Sequence, residues 1–138
     1  MSKNGPADFM KTFFEHESLP VYQESLEFVK WSDPILERTP KNSAMYEQLD
    51  QGRTAIPLKI AAANGKVPCE ERLRNFETAQ RCALETAACL DLLFNRRILS
   101  KDELERGKET LRRITATLVG LGQPGSANAC AEGVVAAG

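Results

Sequence analysis

Apolar residues recur every three or four positions through most of the chain, and this spacing is the period of an α-helix. A first segment of this kind begins near Ser18, with Pro20 in its first turn. A second spans residues 43–64 and ends before Gly65, a residue type that commonly follows a helix. Its apolar face consists of Met45, Leu49, Gly52, Ile56, Ile60 and Ala63. These patterns predict two long helices in the first half of the chain.

Two further helices are predicted in the second half. The third opens at Pro68 and runs to about residue 95, with its apolar residues at the 3-4 spacing of coiled-coil seams. Ser100 and Glu103 form an S-x-x-E capping box that begins the fourth, which stops at residues 120–122. Because the links are only about four or five residues long, sequential helices should run antiparallel. The sequence therefore predicts an all-α protein, an antiparallel up-down-up-down four-helix bundle.

Prolines and glycines inside these helices lower the stability of the helix. An interior proline costs about 3 kcal/mol unless a kink is accommodated, so Pro34 predicts a bend or break at residues 31–33. Pro57 lies within the second helix. Gly52 and Gly107 are each expected to permit the close approach of a neighbouring helix, because a mid-helix glycine is otherwise unfavourable.

The two ends of the chain are predicted to lie outside the bundle, which is assigned to residues 18–121. Residues 1–17 form an N-terminal extension whose apolar residues would make one stripe on a short helix. These are Phe9, Met10, Phe13 and Phe14. Residues 122–138 are small and turn-rich, and they predict a disordered tail.

Composition argues against most kinds of chemistry. A net charge of −1 gives no overall attraction to phosphate backbones or anionic membranes, so nucleic-acid binding would need a local basic patch. The only histidine, His16, lies outside the predicted bundle, which excludes a di-iron carboxylate site with its Glu-x-x-His pairs. We therefore predict no catalytic residue, no metal, no cofactor and no enzymatic activity.

The four cysteines follow no zinc-binding spacing. Since no secretory signal precedes them, we expect reduced thiols in a cytoplasmic protein. Cys82, Glu85 and Cys89 lie close to one side of the third helix and could begin a metal site, which would still need a fourth ligand. The favoured interpretation is that both cysteines are small buried apolar residues.

Two local features of the third helix suggest partners. Basic residues cluster at its ends, with Arg96, Arg97 and Lys101 after it and Lys66 and Arg74 at its start. Such clusters suit RNA phosphates, although interleaved acids favour an ordinary solvated surface. Beside the main seam runs a second stripe of mostly small residues. Together the two stripes make an apolar face that is wider than one packing partner within the chain usually needs. This predicted oligomer interface comprises Ala79, Cys82, Thr86, Cys89 and Leu93.

Three segments resemble a known family. Residues 19–26, LPVYQESL, resemble the opening of the first helix in a bacterial four-helix-bundle family often encoded in intervening sequences of large-subunit ribosomal RNA genes. Residues 50–61, DQGRTAIPLKIA, are similar to its second-helix signature, roughly Q-x-R-R-A-x-x-S-I-P-x-N-I-A-E-G. Phe76, Ala79, Cys82 and Glu85 fall where the family reads F-x-x-A-x-x-S-x-x-E.

The resemblance implies a ring-shaped homopentamer and kinship with the accessory variability determinant proteins of diversity-generating retroelements. It therefore implies RNA or a reverse transcriptase as partner. Gly52, Lys59 and Cys82 depart from the family's polar signature, whereas Arg53 and Glu85 remain and could pair. Arg53 accordingly joins the candidate nucleic-acid contacts.

The leading hypothesis is a non-enzymatic, oligomeric helical module that binds RNA or a ribonucleoprotein. The alternative is a protein–protein adaptor, docking through its aromatic N-terminal segment, or a retroelement accessory protein without direct RNA contact. A third and weaker hypothesis is a metal- or redox-dependent enzyme that uses Cys82 and Cys89.

Overall fold

The computed structural model describes residues 11–122, and this part of the chain forms four α-helices and a short 3-10 helix without any strand. The 3-10 helix spans Glu15–Ser18. The α-helices are α1 (Pro20–Arg38), α2 (Ala44–Ala63), α3 (Cys69–Asn95) and α4 (Lys101–Leu121). All four predicted helices are therefore confirmed, and the all-α class with them.

Local caps explain where the helices begin. The Ser43 side chain accepts a hydrogen bond from the backbone N–H of Tyr46 at 3.2 Å and so caps α2. Ser100 and Glu103 form the predicted capping box of α4. The prediction for α1 was wrong by one residue: Leu19 is its N-cap and Ser18 belongs to the 3-10 helix.

Of the bend or break predicted at residues 31–33, the break is absent, because α1 continues through Pro34 to Arg38. The turn around the proline is held from inside the fold, since Ser32 and Ile35 are both buried. The guanidinium of Arg53, reaching across from α2, donates to the Val29 carbonyl at 2.9 Å. Packing and this hydrogen bond hold the turn that precedes the proline against α2.

Each α-helix packs against two others, α1 on α2 and α4, and α3 on α2 and α4. The shared interior contains the largest fully buried apolar side chains of all four helices. These are Phe28, Ile35, Leu49, Ile56, Ile60, Phe76, Leu90, Leu93, Leu111, Ile114 and Leu118. The described residues thus form a four-helix bundle around one core.

Two glycines allow the helices to approach closely, as predicted. A Cβ added to Gly52 of α2 would collide with the Thr86 hydroxyl of α3. A Cβ added to Gly107 of α4 would lie 2.6 Å from Cη2 of Trp31 and 2.7 Å from Cδ1 of Leu90. A side chain at either position would therefore require the neighbouring side chains or helices to shift.

The ends of the chain fall largely outside the described residues. Of the predicted aromatic helix, Phe9 and Met10 lie outside that range, while Phe13 and Phe14 precede the 3-10 helix and are not helical. The predicted tail also lies outside it, except for Gly122. Within the described residues, no helix is both long and apolar enough to cross a membrane.

Candidate nucleic-acid interface

Three exposed cations lie at the link between α3 and α4. Arg96 is the C-cap of α3, Arg97 follows it, and Lys101 is the first residue of α4. All three side chains are exposed. No ion pair holds any of them within residues 11–122. We call these three residues the basic tip.

The backbone of the basic tip is fixed by hydrogen bonds. Arg97 donates its N–H to the Phe94 carbonyl at 2.9 Å, and Ile98 donates to the Leu93 carbonyl at 2.9 Å. This pair of bonds is the Schellman motif, in which the residue after the C-cap adopts the left-handed conformation and is usually glycine. Arg97 occupies that position with a φ of 65°. An arginine is therefore held where glycine would be less strained.

Two of the acids next to the basic tip are already engaged. Glu103 accepts the Ser100 N–H at 2.9 Å and the Arg38 guanidinium at 2.8 Å. The Ser100 hydrogen bond and then Arg38 lower the pKa of the Glu103 carboxyl. Asp102 pairs with Arg106 at 3.6 Å. These two carboxylates are committed to other groups, whereas Glu105, one helical turn after Lys101, has no ion pair inside the described range.

The second predicted basic cluster lies at the other end of the bundle. Lys66 is in the α2–α3 link and Arg74 is in the second turn of α3, and both are exposed. At 1.5 Å per residue, Arg74 and Arg96 are about 33 Å apart along α3. The structure therefore separates these candidates into two groups that cannot contact one short stretch of phosphates.

Arg53 was predicted as a nucleic-acid contact, and the structure corrects this. Its side chain is buried, and its guanidinium donates to Asp33 at 2.5 Å, to Asp50 at 3.2 Å and to the Ser32 hydroxyl at 3.1 Å. Its donors are used inside the fold to join α1 to α2. The suggested pairing with Glu85 is likewise wrong, since both carboxylate partners are aspartates.

The predicted oligomer interface is also corrected for four of its five residues. Ala79, Thr86, Cys89 and Leu93 are at most 1% exposed within the single chain. The reason is the close approach of α2: Gly52 admits Thr86, and the Cys89 thiol contacts the Met45 carbonyl at 3.6 Å. This stripe packs inside one subunit.

The outer face of α3 was missed as a surface. Leu84 and Leu92 are both more than half exposed, with the exposed Ala88 between them. Their i, i+4, i+8 spacing was the available signal. Charged residues such as Arg81 and Glu85 are interleaved with it in the sequence.

The cysteines differ in state. Burial raises the pKa of the Cys89 thiol, and burial followed by the charge of Glu85 raises that of Cys82. Both groups are therefore protonated near neutral pH, which disfavours thiolate chemistry. Cys69 is disulfide-bonded, which corrects the expectation of a reduced thiol at that position.

Comparison with known proteins agrees with this architecture. Residues 17–120 match the family model described as 23S rRNA-intervening sequence protein. Among solved structures, the chain is similar to a protein of unknown function from the S23 ribosomal protein family of Bacteroides thetaiotaomicron, with a TM-score of 0.65 and 24% identity. The alignment covers 72% of this chain and 94% of that one, and it shows a shared fold. The curated proteins give no match. Since the family model spans most of its length, the chain belongs to the 23S rRNA-intervening sequence protein family.

Proposed function

We propose that the protein is a non-enzymatic helical module that binds RNA, or a ribonucleoprotein, through its basic tip. The observation that carries this proposal is the state of the charges there. Arg96, Arg97 and Lys101 are exposed without ion pairs in the described part of the chain, and two of the nearby acids, Asp102 and Glu103, hold other cations. Exposed, uncompensated cations attract phosphates.

The family description is consistent with an RNA partner, because it refers to intervening sequences of 23S ribosomal RNA. It names no partner for this chain. With a net charge of −1, binding would depend on the basic tip and not on the protein as a whole. Absence of catalysis, of a cofactor and of a metal is part of the proposal, as is a cytoplasmic location.

The assembly we propose is a ring of antiparallel bundles, with a pentamer favoured. Contacts at both ends of α1 support the antiparallel order of α1 and α4. Glu24, early in α1, contacts Arg113, late in α4, at 2.9 Å. Arg38, which ends α1, contacts Glu103, early in α4, at 2.8 Å. Several subunits would present several basic tips, and multivalent contact raises the overall affinity.

A salt-titrated RNA-binding assay tests the proposal. Each phosphate contact to single-stranded RNA contributes about 0.7 to the slope of log K against log salt concentration. Arg96→Ala/Arg97→Ala should therefore weaken binding and flatten that slope by about 1.4 per tip in contact. Lys30→Ala/Arg81→Ala removes the same charge from exposed positions elsewhere and should leave the slope unchanged.

Two results would contradict RNA binding at the basic tip. One is wild-type binding that does not vary with salt. The other is an equal effect of both double variants, which would indicate only an unspecific dependence on charge. Lys66→Ala/Arg74→Ala, tested in parallel, reports whether the opposite end of the bundle is used instead.

The second candidate function is a protein–protein adaptor, including a retroelement accessory protein without direct RNA contact. The observation in its favour is the aromatic pair Phe13 and Phe14, which is exposed in the single chain. Kinship with retroelement accessory proteins rests on the sequence resemblance alone. A reverse-transcriptase gene beside the gene of this protein would favour it.

A further inference from the structure

Phe13 and Phe14 are exposed aromatic residues on an ordered backbone. Their side chains are 75% and 65% exposed. Their N–H groups both donate to the Glu17 carboxylate, each at 3.1 Å. The Phe14 ring stacks on His16, whose ring meets that of Tyr22 edge-on at 4.7 Å. The two phenylalanines are thus held in place and presented outward, which lowers the entropic cost of binding.

An apolar groove runs between α3 and α4 on the outside of the bundle. It has a volume of about 840 Å³, within the range of ligand-binding clefts. Its apolar lining consists of Ala83, Leu84, Ala87, Leu104, Leu111 and Ala116. The alanines leave space between the helices, and Leu84 forms an exposed wall. Such a groove suits large, flat apolar side chains.

The charges of the two surfaces are complementary. On the groove rim, Lys108 pairs with Asp91 at 2.8 Å and Arg112 pairs with Glu109 at 2.6 Å. Glu105 is the charged residue of the groove lining that has no ion pair inside the described range, so its carboxylate can accept a further cation. Lys11, two residues before Phe13, is exposed and also has no ion pair within the described residues. It supplies the matching positive charge.

The aromatic pair cannot reach the groove of its own chain. Phe14 leads directly into the 3-10 helix, which packs on α1 and α2. The Gln23 side chain fastens that helix by donating to the Glu17 carbonyl at 2.8 Å. The groove lies between α3 and α4, on the other side of the bundle. A second molecule must therefore provide the contact.

We propose that Phe13 and Phe14 of one chain insert into the α3–α4 groove of a second copy. Donor and acceptor surfaces differ, so the contact is head-to-tail and leads to a closed ring or an open filament. The inference deepens the proposed homo-oligomer and rests on it. It identifies the segment and the groove through which the copies join.

Two variants in the full-length chain test each side of the contact. Phe13→Ser/Phe14→Ser removes the donor, and each lost hot-spot side chain should weaken the contact on the order of 30-fold. Ala116→Arg places a bulky cation in the groove at an exposed helical position, where the fold should be kept. Both proteins should sediment as 15.3 kDa monomers at concentrations where the wild type is larger.

Matched controls come from the exposed face of α2. Leu58→Gln removes an apolar side chain that is 63% exposed, and Ala62→Arg adds a cation at an exposed alanine. Both should leave the wild-type mass unchanged. Circular dichroism should show native helix content in every variant, so that a loss of assembly is not a loss of fold.

Mixing the two assembly-defective variants gives the sharpest result. The Phe13→Ser/Phe14→Ser chain keeps its groove and the Ala116→Arg chain keeps its aromatic pair, so one contact remains possible for each pair of chains. We expect heterodimers of twice the 15.3 kDa chain mass, and nothing larger, across a concentration series. A mixture that stays monomeric would overturn the proposal, as would a variant that retains the wild-type mass.

This result is separable from RNA binding. If the oligomer persists in both variants while Arg96→Ala/Arg97→Ala abolishes RNA binding, only the docking proposal fails. If the variants dissociate and the mixture forms heterodimers, while Arg96→Ala/Arg97→Ala leaves RNA affinity unchanged, only the RNA proposal fails. A wild-type protein that is itself monomeric overturns the docking proposal and the proposed ring together.

Discussion

Arg97 provides a direct test of whether the basic tip is held at a cost to stability. Its φ of 65° lies in the left-handed region, where an L-residue costs about 1–2 kcal/mol. Glycine adopts this conformation without steric cost, but it loses about 0.4–1 kcal/mol more chain entropy on folding. Relative to alanine, glycine at position 97 should therefore stabilise the fold by about 0.5–1 kcal/mol.

The informative comparison is Arg97→Gly against Arg97→Ala. Both variants lose the same charge and the same favourable interaction with the C-terminal dipole of α3, worth about 0.3–1 kcal/mol. Only the alanine variant keeps the backbone strain. For a domain of this size, we expect the glycine variant to melt about 2–4 °C above the alanine variant by circular dichroism. Their RNA affinities should be reduced equally.

Two outcomes would refute this reasoning. Equal melting temperatures would mean that position 97 is not strained in the native state. An RNA affinity of Arg97→Gly equal to that of the wild type would mean that the arginine contacts no phosphate. A glycine variant that is more stable than the alanine variant, while both bind RNA less well than the wild type, is the combination expected of a residue kept in a strained conformation for function.

Two further predictions concern the packing and the pH dependence of the bundle. Gly107→Ala should destabilise the fold by up to about 2 kcal/mol, because overpacking against Trp31 and Leu90 outweighs the better helix propensity of alanine. Denaturation followed by the fluorescence of the single tryptophan should show this loss of stability. The control Gly120→Ala, where an added Cβ would have no atom within 4 Å, should be neutral or stabilising. The pKa of the Glu103 carboxyl is lower in the folded protein than in the unfolded chain, so its ionised form stabilises the fold. This contribution is fully present at pH values above the pKa of the unfolded chain, and it is lost as the pH falls through the pKa of the folded protein. Glu103→Gln keeps a capping-box side chain and should remove this part of the acid sensitivity, while an acid-unfolding midpoint that does not move would contradict the prediction.

The helices could be predicted from the sequence because their ends are decided locally. Ser43 and the Ser100–Glu103 pair cap α2 and α4 through backbone groups three residues away, and Pro68 precedes α3. The continuation of α1 through Pro34 was not predictable in this way. Arg53, which lies in another helix, contacts the Val29 carbonyl in the turn before this proline, and such a contact between helices is not visible in the local sequence.

The functional surfaces were harder to predict because they depend on which neighbour covers each face. The second stripe of α3 was correctly identified as apolar, but the sequence did not show that α2 covers it at Thr86 and Cys89. Arg53 was predicted to pair with Glu85 or to contact nucleic acid, and its partner Asp33, 20 residues away in another helix, was not predicted. Arg96 and Arg97 were identified correctly as exposed, since a short link leaves few residues able to cover them.

The basic tip and the aromatic pair would work together in a ring. Phe13 and Phe14 lie beside the beginning of α1, whereas Arg97 lies near its end, where Arg38 contacts Glu103 and the Ile98 carbonyl. A head-to-tail contact that closes relates all copies by rotation about one axis, so every copy points the same end in the same direction. All basic tips would then lie on one rim, where one RNA strand can contact several of them. A two-fold dimer would carry only two basic tips, whereas a closed ring of more copies carries one tip for each copy, so the head-to-tail geometry of the aromatic contact favours a multivalent RNA surface.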